Sequence, residues 1–148
     1  QAPDRYRVLQ WLMFQMGGVG PTFGQAIHFT AAAPDQPYAK ARFVTEMNRL
    51  LDVLDRELAI SPYLAGDAYS IADMSIFPWL RPLDRFFPEL TERPALKRWR
   101  ERLEARPAVI HAHQILAELA AQDAASFKRA TSEMLDRYFG HLHAPAAA

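Results

Sequence analysis

The chain has 148 residues, 50% hydrophobic and 23% charged, and its 17 Lys and Arg are balanced by 17 Asp and Glu. That length suits one domain with a sizeable core, and zero net charge supplies no long-range field to recruit nucleic acid or an anionic membrane. The absence of cysteine excludes a disulfide framework, a Cys-based zinc site and a protein thiol nucleophile in this chain, so any thiol chemistry must use another molecule's sulfur.

No apolar run reaches the ~20 residues that a membrane-spanning helix needs, and the opening QAPDRYRVLQ has neither a basic segment nor an apolar one of the kind that secretory leaders carry. A soluble, cytoplasmic protein without nucleic-acid or membrane partners is expected. Gln1 stands where an initiator methionine would, which points to a fragment or a processed form.

In chain order, the pattern Val8, Leu9, Leu12, Met13, Met16, widened by Trp11 and Phe14, predicts a helix over residues 4 to 16. A stretch punctuated by Gly and Pro follows, holding four of the six glycines in MGGVGPTFG (16 to 24). Asp35 as cap and Pro37 in the first turn open the longest helix. Its apolar stripe runs through Phe43, Met47, Leu50, Leu51, Leu54 and Leu58 and ends near Ser61-Pro62.

Ser70 and Asp73 form a capping box, with Tyr69 and Met74 placed to staple it. The helix behind it carries Ile76, Phe77, Trp79, Leu80 and Leu83, apolar nearly all round, so it belongs at the bundle centre, and Pro78 and Pro82 should kink or end it. Pro94 starts a further helix with Leu96, Trp99 and Leu103 inward. Val109 to Leu119 make another, and an amphipathic helix over 124 to 139, with Phe127, Met134 and Tyr138 on one face, stops at Gly140. No segment alternates as a strand does. The fold class is all-α, a helical bundle with an extra C-terminal helix.

The glycine stretch fails as a phosphate loop. Such a loop follows a strand and ends in Gly-Lys-Ser/Thr, whereas here a helix precedes, Pro21 interrupts, and Gly24 is followed by Gln25. The expected role is a helix C-terminus whose glycines permit positive φ and close packing.

His111 and His113, two residues apart, point about 200° away from each other on a helix and cannot share a metal there. They, with His141 and His143, are expected to be exposed, and no metal site is expected. Asp73 could suggest acid catalysis, but its place in the box gives it a structural role. Arg42, Glu46 and Arg49 form a polar stripe, read by itself as a solvated face with an i,i+4 ion pair. Trp11, Trp79 and Trp99 are expected in the core.

The run LAGDAYSIADMSIFPWL (Leu64 to Leu80) resembles the C-terminal helical domain of the glutathione S-transferases, in which this segment opens the central helix. LQWLMFQMGGVGPTFGQAIHF (Leu9 to Phe29) with AAPDQPYAKARF (Ala32 to Phe43) is similar to the bacterial Nu-class, or disulfide-bond oxidoreductase, members. With the segments at Trp99 and Arg106 to Val109, the likeness covers about residues 5 to 112.

The resemblance implies a helical domain over 1–116, an extension over 117–148, and a thioredoxin-like N-terminal domain that this chain lacks. It implies glutathione as co-substrate, bound here through Gln15 and Arg42: a guanidinium can grip the glycyl carboxylate and an amide can pair with the peptide backbone. It also implies a homodimer acting on a small electrophile, disulfide or peroxide. No catalytic residue falls in this chain, because the thiol-activating side chains belong to the missing domain. A noncatalytic dimerisation or docking module and glutathione-dependent aryl ether cleavage are the alternatives.

Overall fold

The computed structural model describes residues 4–140. Eight α-helices are present among them: α1 (Arg5–Phe14), α2 (Gly20–Ala31), α3 (Pro37–Ile60), α4 (Ile71–Ile76), α5 (Leu83–Phe86), α6 (Pro94–Glu104), α7 (Pro107–Phe127) and α8 (Ser132–Phe139). A π-helical turn, Gln15–Val19, joins α1 to α2, and 3-10 turns cover Phe77–Trp79 and Pro88–Thr91. Among the described residues no strand forms beyond an isolated bridge between Tyr63 and Gly66. The chain divides into two compact units, Gln1–Glu104 and Ala105–Ala148.

In the first unit α2 packs on α3, α3 on α6, and α1 on α4. The α3 stripe is buried as its spacing predicts: Met47, Leu50, Leu51, Leu54 and Leu58 all face inward. They meet Phe23 of α2, Leu96, Trp99 and Leu103 of α6, and Ile76, Leu80 and Leu83 around α4 and α5 in one continuous core. Removing such side chains from water is the main term that holds helices of this size together.

Polar groups fix how α3 meets α6. The Asp55 carboxylate accepts from the Ala95 and Leu96 amides, both at 2.9 Å, so a residue of α3 caps the first turn of α6. Arg93 donates to Asp52 at 2.8 Å and to the Asn48 side-chain oxygen at 2.9 Å.

The capping box forms as its sequence predicts, and its acid does more than cap. Asp73 is fully buried. Its Oδ2 accepts from the Ser70 amide at 3.0 Å and the Ser70 hydroxyl at 3.3 Å. Its Oδ1 accepts from the Leu64 amide at 3.0 Å and the Trp99 indole at 2.9 Å. One carboxylate thus ties the loop after α3, the start of α4 and the middle of α6. Within that loop Gly66 has φ of 112°, a conformation that a side chain would strain. Pro78 ends α4 at Ile76 and starts the 3-10 turn. The expected staple is replaced: Met74 is half exposed, and the Tyr69 ring meets Tyr63 instead.

Other expectations are corrected. The glycine stretch does not end a helix: the chain stays helical from α1 to Ala31, and none of Gly17, Gly18, Gly20 and Gly24 has positive φ. Close approach occurs at two of them: a Cβ on Gly18 would lie 3.4 Å from Leu50 Cδ2, and one on Gly20 would lie 2.8 Å from Gln15 Nε2. Asp35 does not cap α3; Gln36 holds that position without a side-chain bond, and Pro37 sits in the first turn as predicted. On α1 only Trp11 is buried, while Leu9 and Met13 face outward, as does Met16 in the π-helical turn, because this segment carries apolar residues on two sides and spacing does not choose between them.

In the second unit α7 runs unbroken to Phe127, so residues 124–127 belong to it and not to a separate helix. The break falls at 128–131, where the Thr131 hydroxyl accepts from the Met134 amide at 3.3 Å and opens α8. Gly140, with φ of 77°, ends α8 as predicted. Phe127 and Tyr138 meet edge to face, 5.6 Å apart. Residues 116 and 117, where the motif-based boundary lies, are inside α7. Among the described residues no helix is long and apolar enough to cross a membrane.

Asp73→Ala would strand the Leu64 and Trp99 donors in the core together with the start of α4. Each buried donor left unpaired costs about 1–3 kcal/mol, so the substitution should remove at least about 3 kcal/mol of stability. Urea unfolding of the purified protein reads this, and a loss under about 1 kcal/mol would show that Asp73 is not the tie described.

Candidate functional site

Gln15 opens the π-helical turn. The Gly20 amide donates to the Gln15 carbonyl, an i to i+5 bond that inserts one residue into the α-helical register. Such bulges recur at functional sites because they re-aim a side chain without breaking the helix. Here the re-aimed side chain is an amide, and Gln15 is one of two buried polar residues in the chain's described part, the other being Asp73. A Cβ built on Gly20 would come within 2.8 Å of Gln15 Nε2 and 3.2 Å of Trp79 Cζ2. The amide therefore lies against the bare backbone of Gly20. Among the described residues it has no hydrogen-bond partner, yet neither of its polar atoms is sealed from solvent without one.

Arg42 lies on the exposed side of α3. It lines an open cleft of about 460 Å³ with Thr22 of α2 and Tyr38, Ala41, Phe43, Thr45 and Glu46 of α3. The predicted stripe is present but paired differently. Glu46 is held by Arg49, three residues on, through two bonds of 2.8 and 2.7 Å, and not by Arg42 four residues before it. The bidentate fork favours this pairing. It also leaves Arg42 with no carboxylate within ion-pair distance among the described residues. The Arg49 hydrogen bond, with smaller electrostatic help from Arg49 and Arg42, holds the Glu46 carboxyl below its usual range.

Gln15 is not one of the residues lining the Arg42 cleft. The two are related through α2, whose first residue lies against the Gln15 amide and whose third, Thr22, lines the cleft. Ser70 and Asp73 have structural roles only: both carboxylate oxygens are engaged and wholly buried. Trp11 and Trp99 are core residues as expected, whereas Trp79 is half buried. His111 is exposed and His113 partly so; His141 and His143 lie outside the described residues. Among the described residues no three His, Asp or Glu side chains are grouped to hold a metal. The residues that spacing missed are Gly20 beside the amide, and Thr22, Tyr38 and Thr45 in the cleft of the guanidinium.

A sequence model of the glutathione S-transferase C-terminal domain matches residues 19–107. The chain belongs to the glutathione S-transferase family. Within that family it is similar to disulfide-bond oxidoreductase YfcG of Escherichia coli, 46% identical over 106 residues that are 71% of this chain and 49% of the relative. It is also similar to a solved glutathione transferase of Burkholderia graminis with two glutathione molecules bound per subunit. That likeness has 41% identity and a TM-score of 0.67, over 72% of this chain and 48% of the other. A Pseudomonas putida glutathione transferase with one glutathione disulfide bound per subunit gives 42% identity and a TM-score of 0.67, over 72% and 50%. This glutathione S-transferase chain thus spans about half the length of the relatives it matches.

Arg49→Ala should let the Glu46 carboxyl rise toward its ordinary pKa, because the strongest of the interactions holding it ionised is removed. A carbon-13 titration of the Glu46 side chain reads the change. An unmoved midpoint would mean that Arg49 is not what keeps Glu46 from Arg42.

Proposed function

We propose that the chain is the helical half of a cytoplasmic, homodimeric enzyme that uses glutathione as co-substrate. Its reaction is reduction of a small disulfide or peroxide, or conjugation of glutathione to an electrophile. The observation that carries this reading is the unpaired Arg42 guanidinium in an open polar cleft, kept available by the Glu46–Arg49 fork. An anionic tripeptide supplies what it lacks, a carboxylate that can accept two parallel bonds. Gln15 supplies the complementary group, an amide that both donates and accepts and that has no hydrogen-bond partner among the described residues. The relatives support the ligand class, since glutathione and glutathione disulfide occupy the two solved structures.

On this reading the chain binds and orients and does not itself activate the thiol. It has no cysteine, so the reacting sulfur is glutathione's own; as thiolate it attacks a disulfide sulfur or an electrophilic carbon, displacing the leaving group. The donors that lower the thiol pKa lie in a thioredoxin-like domain outside this chain, and its 117–148 segment is an extension to the helical domain. Arg42 and Gln15 hold the far parts of the tripeptide, and that positioning lowers the entropic barrier of the reaction.

Arg42→Ala in the full-length native protein should weaken glutathione binding by about 1.5–3 kcal/mol, the usual worth of a hydrogen bond to a charged group. Circular dichroism should not change, because Arg42 is exposed and pairs with no other described residue. Isothermal titration with reduced glutathione reads the affinity. An unchanged dissociation constant would return Arg42 to a solvated helix face.

A further inference from the structure

We infer that Gly20 is a positioning residue for the ligand-facing amide of Gln15, and that the π-helical turn exists to bring the two together. The inference rests on the proposed role of Gln15 and deepens it.

The backbone at Gly20 is ordinary right-handed helix, φ −56° and ψ −59°. Any residue could adopt it, and alanine would favour a helix by about 1 kcal/mol over glycine. Conformation therefore does not require a glycine there. Space does favour one: an added Cβ would stand 2.8 Å from Gln15 Nε2, 3.2 Å from Trp79 Cζ2 and 3.4 Å from the Gln15 carbonyl oxygen, so the mobile end of the amide would have to shift. The first of these is closer than real contacts allow, and the group that must yield is the amide. The neighbouring glycines contrast. A Cβ on Gly17 meets nothing within 4 Å, and one on Gly18 only the Leu50 methyls, from 3.4 Å.

The Gln15 amide has no hydrogen-bond partner among the described residues, and its polar atoms reach solvent. The bulge sets it against the bare backbone of Gly20, which narrows the rotamers open to it. A side chain so held loses little freedom on binding, which is the condition for a contact to contribute to affinity. Gly20 thus acts on ligand binding only through Gln15, and that dependence can be measured.

In the full-length native protein, Gly20→Ala should weaken the binding of reduced glutathione about five- to tenfold, as expected for losing an amide's hydrogen bonds. Gln15→Ala should do the same, and the double variant should bind within about twofold of Gln15→Ala alone, since the two act as one unit. Gly17→Ala should bind as wild type. In unliganded Gly20→Ala the side-chain amide resonances of Gln15 should move, a signature that general destabilisation does not give. If Gly20→Ala does not fold, the double variant should, because removing the amide removes the clash. Wild-type affinity in Gly20→Ala beside weakened Gln15→Ala would overturn this inference alone, as would a double variant that loses as much again. Wild-type affinity in Gln15→Ala would overturn the role of Gln15 itself, and this inference with it.

Discussion

A single buried carboxylate sets the geometry on which the first unit depends. Asp73 accepts from the Leu64 amide, the Trp99 indole and both donors of Ser70, so three segments distant in sequence share one anchor. A polar group in the core is tolerated only when its atoms find hydrogen-bond partners, and both Asp73 oxygens do. Trp99 in turn places α6 on α3, where Asp55 caps it from outside its own helix. The proposed binding surface follows from this frame. α3 is held in one rotation about its axis, with the leucines inward and Arg42 outward.

Against that frame the two groups proposed to face the ligand are placed by different means. Arg42 depends on competition between two arginines for one carboxylate, settled by the bidentate geometry of Glu46 with Arg49. Gln15 depends on an inserted residue and on the absence of a side chain at position 20. The first is electrostatic and sits in solvent, so salt and pH can modulate it. The second is steric and largely buried. A site built from both gains charge attraction at one end and a fixed orientation at the other, which suits an extended ligand with one carboxylate and a peptide backbone.

The elements legible in the sequence are those governed by local rules. The α3 stripe, the Ser70–Asp73 box, Pro37 and Pro94 at helix starts and the glycine stop at Gly140 each follow from spacing or a cap. Non-local choices were not legible. Nothing near Asp73 announces that Trp99, 26 residues later, will share its oxygen. The π-helical turn shifts the register by one residue, so a pattern counted in steps of three and four gives the glycines the wrong task. α1 is apolar on two sides, and only the packing of Trp11 decides which faces inward. Even the ion pair of Glu46 was misassigned, because i,i+3 and i,i+4 partners are equally near on a helix and geometry chooses. The break before α8 did have a local signal in Thr131, the hydroxyl that caps it. For the site, the sequence pointed to Gln15 and Arg42 through family likeness. It could not show that one lies against the bare backbone of Gly20, or that the other has no ion-pair partner among the described residues.

The central claim is that Gln15 and Arg42 contact one and the same glutathione. The most direct measurement follows the Gln15 side-chain amide and the Arg42 Nε–H by nitrogen-15 NMR while reduced glutathione is added to the full-length native protein. The account predicts that both signals move and saturate with one dissociation constant, while Arg137 in the second unit stays still. Saturation at different concentrations, or a response from one of the two alone, would contradict it.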